Sequence, residues 1–185
     1  MGRPNIPECV WQWPIGKQWK TPYIVRYASN LDDGPEHGAP LGGFGAGCIG
    51  RSPSGSFNLW HLDGGEHIFD AFPACQFSVF EQSKGEDAIA YTLSTNASQD
   101  ELSRWQPYPA STDDQSAGTY NALYPRSWYT YENVFKAELT CEQFSPIWKD
   151  NYQESSYPVA TFVWTAHNPT DHPLTLSIML SWENM

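Results

Sequence analysis

The chain has 185 residues, of which 21 are acidic and 10 basic, and its formal net charge is −11 at pH 7. This charge repels phosphate groups, so nucleic acids and anionic membrane surfaces are excluded as expected partners. The 15 prolines and 14 glycines interrupt long helices and favour β-structure. A chain of this length predicts one domain, and the N-terminal residues 1–17 lack the apolar core of a signal peptide, so we expect a cytoplasmic protein.

The four cysteines are widely spaced and form no CxxC pair: Cys9, Cys48, Cys75 and Cys141. Zinc sites need closely spaced ligand pairs, so neither a metal nor a cofactor is expected here. Unpaired cysteines are among the residues most often found inside proteins. We therefore predict four buried thiols.

The first two thirds of the chain contain short apolar segments bounded by Gly, Pro, Ser or Asp, which is typical of β-strands. Strands are predicted over residues 56–62, 75–81, 88–94 and 121–132. Residues 98–105 are the one predicted helix, because Ser98 and Glu101 have the spacing of a capping box. Residues 106–118 are polar and predicted to be an exposed loop.

The C-terminal third gives the clearest pattern. Residues 135–142 and 174–182 alternate between apolar and polar side chains, the period of a half-buried strand, and residues 159–165 are rich in β-branched and aromatic residues. The turn residues 167–173 between the last two segments predict an antiparallel hairpin. Many short strands with regular turns predict an all-β, mostly antiparallel sandwich.

Residues 42–57 read GGFGAGCIGRSPSGSF and include GAGCIG, which matches the GxGxxG spacing of nucleotide-binding loops. That loop normally follows a buried strand and opens a helix, whereas here a loop precedes it and Pro53 and Gly55 follow it. A kinase glycine loop is disfavoured because the next lysine, Lys84, lies in a polar loop. We therefore predict a tight turn leading into a strand, with the glycines serving positive φ angles and close chain approach: Gly42, Gly43, Gly45, Gly47 and Gly50. A loop shaped against a ligand or a neighbouring domain is the alternative.

Three ordered segments resemble glycoside hydrolase family 116, the β-glucosidases that include the non-lysosomal glucosylceramidase and bile acid β-glucosidase. Residues 40–65 resemble the signature PLGG-(I/F)-G-x-G-x-I-x-R followed by an aromatic strand, residues 122–132 its ALYPRSW element, and residues 139–184 its core hairpin with the preceding strand. Members of that family are far longer than 185 residues. We therefore expect residues 1–185 to be a truncated N-terminal sandwich that lacks its last strands.

In this family, the resemblance implies, a C-terminal (α/α)6 barrel follows the sandwich and holds two catalytic carboxylates, which act on a β-glucoside or glucolipid by a retaining mechanism. No residue of this chain corresponds to either carboxylate, so we assign no catalytic, cofactor or metal residue and expect the chain alone to be inactive.

The residues that imitate a site are interpreted as structural. Asp63 and Glu66, flanked by His61 and His67, are interpreted as a polar turn after an aromatic strand, and Glu183 as the solvated end of a strand. Most of the nine tryptophans are interpreted as core residues, for example Trp60, Trp164 and Trp182, and Trp11, Trp13 and Trp19 as packing at a domain boundary. A stand-alone carbohydrate-binding module, which stacks sugars on exposed tryptophans, is the alternative function, and a purely structural interaction domain a third possibility.

Overall fold

A computed structural model describes residues 4–19, 35–64, 66–96 and 105–183. The fold is all-β, as predicted, with 44% of residues in strands and 4% in helices. Thirteen strands are described, in chain order: β1 (Trp11–Pro14), β2 (Pro40–Leu41), β3 (Cys48–Arg51), β4 (Phe57–Asp63), β5 (Glu66–Ile68), β6 (Gln76–Ser83), β7 (Ile89–Thr92), β8 (Gln106–Pro107), β9 (Gly118–Leu123), β10 (Arg126–Tyr131), β11 (Glu138–Phe144), β12 (Thr161–His167) and β13 (Leu174–Ser181). A 3-10 turn, Pro35–His37, and one short helix, α1 (Tyr152–Ser155), complete the described elements.

The strands form three sheets. A five-stranded sheet has the order β1-β9-β10-β11-β12, and two four-stranded sheets have the orders β13-β6-β7-β8 and β2-β3-β4-β5. Every described pairing is antiparallel except the short pair of β7 and β8. The mostly antiparallel architecture predicted from the sequence is confirmed.

One core joins the sheets and is unusually aromatic. Its buried members come from strands or strand ends of all three sheets: Ile15, Phe57, Trp60, Cys75, Phe77, Val79, Leu93, Tyr108, Ala117, Tyr120, Tyr129, Tyr131, Leu139 and Cys141. Each buried tyrosine hydroxyl needs a hydrogen-bond partner. Tyr108 accordingly donates to the carbonyl of Ala117 (2.7 Å), and Tyr129 donates to the carbonyl of Ser52 (2.8 Å).

Most of the predicted strands are present within a few residues of their predicted bounds. The face prediction for residues 135–142 is confirmed, because Ala137, Leu139 and Cys141 are buried. Residues 121–132, predicted as one strand, are instead parts of β9 and β10, which pair antiparallel on either side of the cis Tyr124–Pro125 peptide. The predicted helix at residues 98–105 lies almost wholly outside the described residues.

The predicted hairpin of the last two strands is wrong. β12 pairs with β11 in the five-stranded sheet, whereas β13 pairs with β6 in another sheet. The turn at residues 168–173 is present, with the Asn168 amide donating to the carbonyl of His172 (2.8 Å), but it carries the chain from one sheet to the other. Both strands are sheet edges in the described structure. Consequently Ile178 and Leu180, predicted to face the core, are exposed.

Where the structure is described, it contains no helix with the length and apolar character needed to cross a membrane.

Candidate functional site

The glycine-rich stretch forms a turn that leads into a strand, as predicted, and this turn closes a hairpin. β2 pairs with β3, and residues 42–47 connect them, so the motif leads into a strand where a nucleotide fingerprint would open a helix. Gly45 and Gly47 have φ angles of +68° and +79°, a region that residues with a Cβ atom rarely adopt. The hairpin explains the first two glycines of the GxGxxG pattern without a phosphate.

Close chain approach explains the remaining glycines. A Cβ atom on Gly42 would lie 2.2 Å from the carbonyl oxygen of Gly47 across the same hairpin. At Gly43 it would lie 2.4 Å from the carbonyl oxygen of Tyr157, and at Gly50 2.6 Å from that of His37. The prediction that these glycines serve chain geometry is therefore confirmed.

The hairpin is fixed to the five-stranded sheet and to α1 by hydrogen bonds. Ser145, which follows β11, accepts from the Gly42 amide (3.1 Å) and donates to the carbonyl of Pro40 (3.0 Å). At the tip, the Phe44 amide donates to the carbonyl of Ser155 (2.7 Å). These contacts fix the backbone that carries the Phe44 side chain, which is 56% exposed.

The same motif ends in Arg51, which is fully buried. Its guanidinium carbon lies 4.2 Å from the ring centre of Tyr129 and 4.9 Å from that of Phe77. Its nitrogens donate to the carbonyl of Gly55 (3.0 Å) and to the Tyr131 hydroxyl (3.0 Å). No described carboxylate forms an ion pair with it. Arg51 therefore binds the motif to the aromatic core through cation–π contacts and neutral acceptors.

Three distant segments meet around the hairpin. A pocket of about 310 Å³ is lined by the hairpin together with Cys48, His61, Tyr124 and Ile147. A second, of about 550 Å³, continues from Ile147 to Trp148 and Tyr157, and a third, of about 200 Å³, from the hairpin to Leu62, Val159 and Trp182. We call this region the glycine-hairpin surface.

The glycine-hairpin surface is rich in exposed large apolar side chains: Phe44, Leu62, Tyr124, Trp148, Tyr157, Val159 and Trp182. Trp148 is 67% exposed and Tyr124 is 54% exposed. Contiguous apolar surfaces of this kind are more often interaction sites than surfaces that remain in contact with solvent. Sequence reasoning missed it, because its residues come from separate segments and no single segment shows a pattern.

Beside the hairpin, Cys48 and His61 are opposite each other on β3 and β4. The Cys48 Sγ atom lies 3.8 Å from His61 Nδ1, and the rings of His61 and His67 meet edge to face with centres 4.1 Å apart. No set of three His, Cys, Asp or Glu side chains in the described ranges is placed to hold a metal ion.

The prediction of four buried thiols holds for two of them. Cys75 and Cys141 are buried, but Cys48 is half-buried and Cys9 exposed, and none of the four forms a disulfide. Burial raises the pKa of the Cys141 thiol to about 12. Cys9 lies near the edge strand β1. The sequence around it shows no alternation of apolar and polar residues from which its exposure could have been predicted.

The carboxylates that imitate a site are exposed. Asp63 and Glu66 are opposite each other at the end of the β4–β5 hairpin, and Glu183 follows β13, with its amide donating to Cys75 Sγ (3.3 Å). These positions agree with the interpretation as a polar turn and a strand end.

Glu81 on β6 is the one buried acid in the described part of the chain. Its two oxygens accept from the amides of Lys136 and Ala137, both at 2.9 Å, which joins β6 to the chain entering β11. Its burial follows from its place in β6, where Phe77, Val79 and Glu81 share one face, and no sequence motif marks it. Because both oxygens are occupied by backbone amides, we interpret Glu81 as a structural residue.

The tryptophans divide as follows. Trp60 is buried, and Trp164 is half-buried against the core, as predicted. Trp182 contacts the rings of Phe57 and Trp60 but remains 45% exposed. Trp13 and Trp19 stack with their centres 3.9 Å apart, and Trp11 lies parallel beside them.

The described structure thus defines an all-β, sandwich-like fold with an apolar surface built around a glycine hairpin. A sequence model of the family described as "beta-glucosidase 2, glycosyl-hydrolase family 116 N-term" matches residues 38–185. Because this match spans most of the chain, the chain belongs to glycosyl hydrolase family 116, as its N-terminal domain. The resemblance based on the three motifs is confirmed.

Proposed function

We propose that this chain is the non-catalytic N-terminal sandwich of a retaining β-glucosidase of the glucosylceramidase-like type. Its function is to support and flank a helical catalytic domain that lies further along the same polypeptide and supplies both carboxylates. The match to the N-terminal family carries this proposal. We call the longer protein to which we assign this chain the full-length polypeptide.

We further propose that the glycine-hairpin surface is where the catalytic domain docks. The three motifs that resemble the family supply its exposed aromatic side chains: Phe44 from the first, Tyr124 from the second and Trp148, Tyr157 and Trp182 from the third. Residues that belong to motifs and yet expose large apolar rings suit a surface covered by another domain. The hydrogen bonds of Ser145 and Ser155 prearrange this surface, which lowers the entropy cost of docking.

Hydrolysis of an aryl β-glucoside tests whether both catalytic carboxylates lie outside residues 1–185. A retaining mechanism needs two carboxyl groups about 5–5.5 Å apart, and the one buried acid described here, Glu81, is held by backbone amides. We expect turnover by the full-length polypeptide and none by residues 1–185. Turnover by residues 1–185 that disappears in Glu66→Gln or Glu183→Gln would overturn the proposal.

Hydrogen exchange tests the docking surface. Comparing residues 1–185 with the full-length polypeptide, we expect slower exchange at residues 42–47 and 147–159 in the longer protein. The loop at residues 111–117, outside the glycine-hairpin surface, is the internal control and exchanges equally in both. Equal exchange at all three segments would show that the surface is not the docking site.

One observation favours the alternative of a carbohydrate-binding module. The exposed indole of Trp148 adjoins Arg126 and Glu154 in the 550 Å³ pocket, and a flat ring beside charged groups is able to stack a pyranose and bond its hydroxyls. Under this alternative, cellobiose quenches the tryptophan fluorescence of residues 1–185, and Trp148→Ala removes the effect. Trp11→Ala, which removes an exposed tryptophan elsewhere, is the matched control. A flat titration excludes this function.

Two further expectations belong to the same proposal. The apolar edges of β12 and β13 suit pairing with strands encoded further along, and Val163, Met179 and Leu180 are exposed there. Four cysteines without a disulfide suit a reducing compartment, which supports placing the protein in the cytoplasm.

A further inference from the structure

We propose that Cys48 is a reactive thiol, activated by His61, that adds to small electrophiles of the α,β-unsaturated carbonyl class. This inference goes beyond the supporting role of the domain and does not depend on it. It starts from geometry, because the two residues are direct partners across β3 and β4, with Cys48 Sγ 3.8 Å from His61 Nδ1.

A thiol reacts as its thiolate, so a base within contact distance accelerates the reaction. Imidazole is the side chain whose ordinary pKa suits this role near neutral pH. Among the four cysteines, Cys48 is the one with a described sulfur-to-histidine contact. His67 packs edge to face against the His61 ring and limits its rotation.

Cys48 adjoins two pockets. Cys48 lines both the 310 Å³ pocket and the 200 Å³ pocket of the glycine-hairpin surface, and it is half-buried. Among the described residues, the first pocket is walled by Pro40, Phe44, Tyr124 and Ile147, and none of its described lining residues is a carboxylate. Such walls favour a small, neutral, partly apolar electrophile over a charged one.

The addition balances without an oxidant. His61 Nδ1 takes the proton from Cys48, the sulfur forms a bond to the β-carbon of the unsaturated carbonyl compound, and its carbon–carbon double bond becomes single. The imidazolium then returns the proton to the α-carbon. The product is a thioether, and His61 ends as it began.

The test labels residues 1–185 with a limiting amount of N-ethylmaleimide at neutral pH and follows each cysteine peptide by mass spectrometry. The four cysteines serve as mutual controls, because Cys9 is exposed with no described histidine contact and Cys75 and Cys141 are buried. We expect Cys48 to react at least as fast as the more exposed Cys9. Reaction of Cys48 as slow as that of Cys75 and Cys141 would overturn the proposal.

Two variants separate activation from access. His61→Gln is expected to slow labelling of Cys48 by about ten-fold or more and to leave Cys9 unchanged, since a general base contributes at least this much. His172→Gln, in the exposed turn between β12 and β13, is the matched control and changes neither rate. An unchanged Cys48 rate in His61→Gln would also overturn the proposal. If His61→Gln does not fold, the Cys48-to-Cys9 ratio in the wild type still decides the question.

Discussion

The guanidinium of Arg51 lies over the ring of Tyr129, 4.2 Å from its centre, while the Tyr129 hydroxyl lies 2.8 Å from the carbonyl oxygens of both Arg51 and Ser52 and shares its one proton between them. The two residues thus hold each other through both side chain and backbone. The Arg51 charge has no described carboxylate partner. The buried guanidinium is therefore stabilised by stacking on the aromatic rings and by hydrogen bonds to neutral acceptors.

Arg51→Lys is expected to lower the free energy of unfolding by about 2–4 kcal/mol, because an ammonium loses the stacking and leaves buried acceptors unpaired. Urea denaturation of residues 1–185 measures this. Arg126→Lys is the exposed comparison: Arg126 lies beside Glu142 with its guanidinium carbon 5.1 Å from the Phe144 ring centre, and because this contact is exposed, the change should stay within about 0.5 kcal/mol. Similar losses in both variants would show that burial of the stacked guanidinium is not what makes Arg51 important.

Glycine substitutions separate close approach from positive φ. Gly43→Ala places a Cβ atom 2.4 Å from the Tyr157 carbonyl oxygen and is expected to cost roughly 1–3 kcal/mol. Gly45→Ala meets no atom within 4 Å but retains a φ of +68°, so we expect about 1 kcal/mol, recovered in part by Gly45→Asn. Gly64→Ala, with neither constraint, is the control in thermal unfolding. A neutral Gly43→Ala would show that residues 156 and 157 shift to make room for the Cβ atom.

Glu81→Gln is expected to lower the free energy of unfolding by about 1–3 kcal/mol, because the NH2 group that replaces one carboxylate oxygen cannot accept, so that one of the Lys136 and Ala137 amides loses its acceptor. Chemical denaturation measures the loss. The exposed Glu66→Gln is the control, with an expected change within about 0.5 kcal/mol. A neutral Glu81→Gln would mean that water, and not the carboxylate, satisfies these amides.

Stability is expected to fall as pH rises from about 9 to 12. Burial raises the pKa of Cys141 from 9.0 to about 12 and that of Tyr131 from 10.0 to about 12. In this window the unfolded chain loses protons that the folded chain keeps, so alkali favours unfolding. The urea midpoint measured across this range checks the slope. Cys141→Ala should flatten it, whereas the exposed Cys9→Ala should not.

Docking predicts that Cys48 is shielded in the full-length polypeptide. We expect its labelling by N-ethylmaleimide to be slower there than in residues 1–185, while the rate at Cys9 stays the same. Trp148→Ser on the glycine-hairpin surface should raise the Cys48 rate again in the full-length polypeptide, and Trp11→Ser should not. Equal Cys48 rates in the two wild-type proteins would contradict docking and leave the Cys48–His61 chemistry standing.

Patterns within one segment predicted the fold well. The alternation at residues 135–142 placed Leu139 and Cys141 inside because a strand's two faces depend only on its own residues. The choice of partner strand, in contrast, depends on residues elsewhere in the chain. A tight turn after β12 suits a hairpin and a crossing between sheets equally, so the sequence could not show that β13 joins β6.

In the candidate site, too, features that depend on one segment were predicted and features assembled from several segments were not. The glycines were correctly assigned to backbone geometry because their flanks exclude a helix. Phe44, Tyr124 and Trp148 were not singled out, since a surface assembled from three segments has no local signature. Arg51 was visible as a motif residue, but its cage of aromatic rings exists only once distant strands have packed.

Within residues 42–50, four glycines leave no room for a Cβ atom, and each faces a different stretch of backbone: the hairpin's own far side at Gly42, residues 156 and 157 at Gly43, His61 at Gly47 and His37 at Gly50. A substitution at any of these glycines therefore displaces a different backbone segment. No single second substitution would relieve the clashes at two of them. GAGCIG therefore matches the nucleotide-binding spacing by coincidence. In both cases glycine lets another group come close to the main chain: a phosphate in a nucleotide-binding loop, and a peptide group in this hairpin.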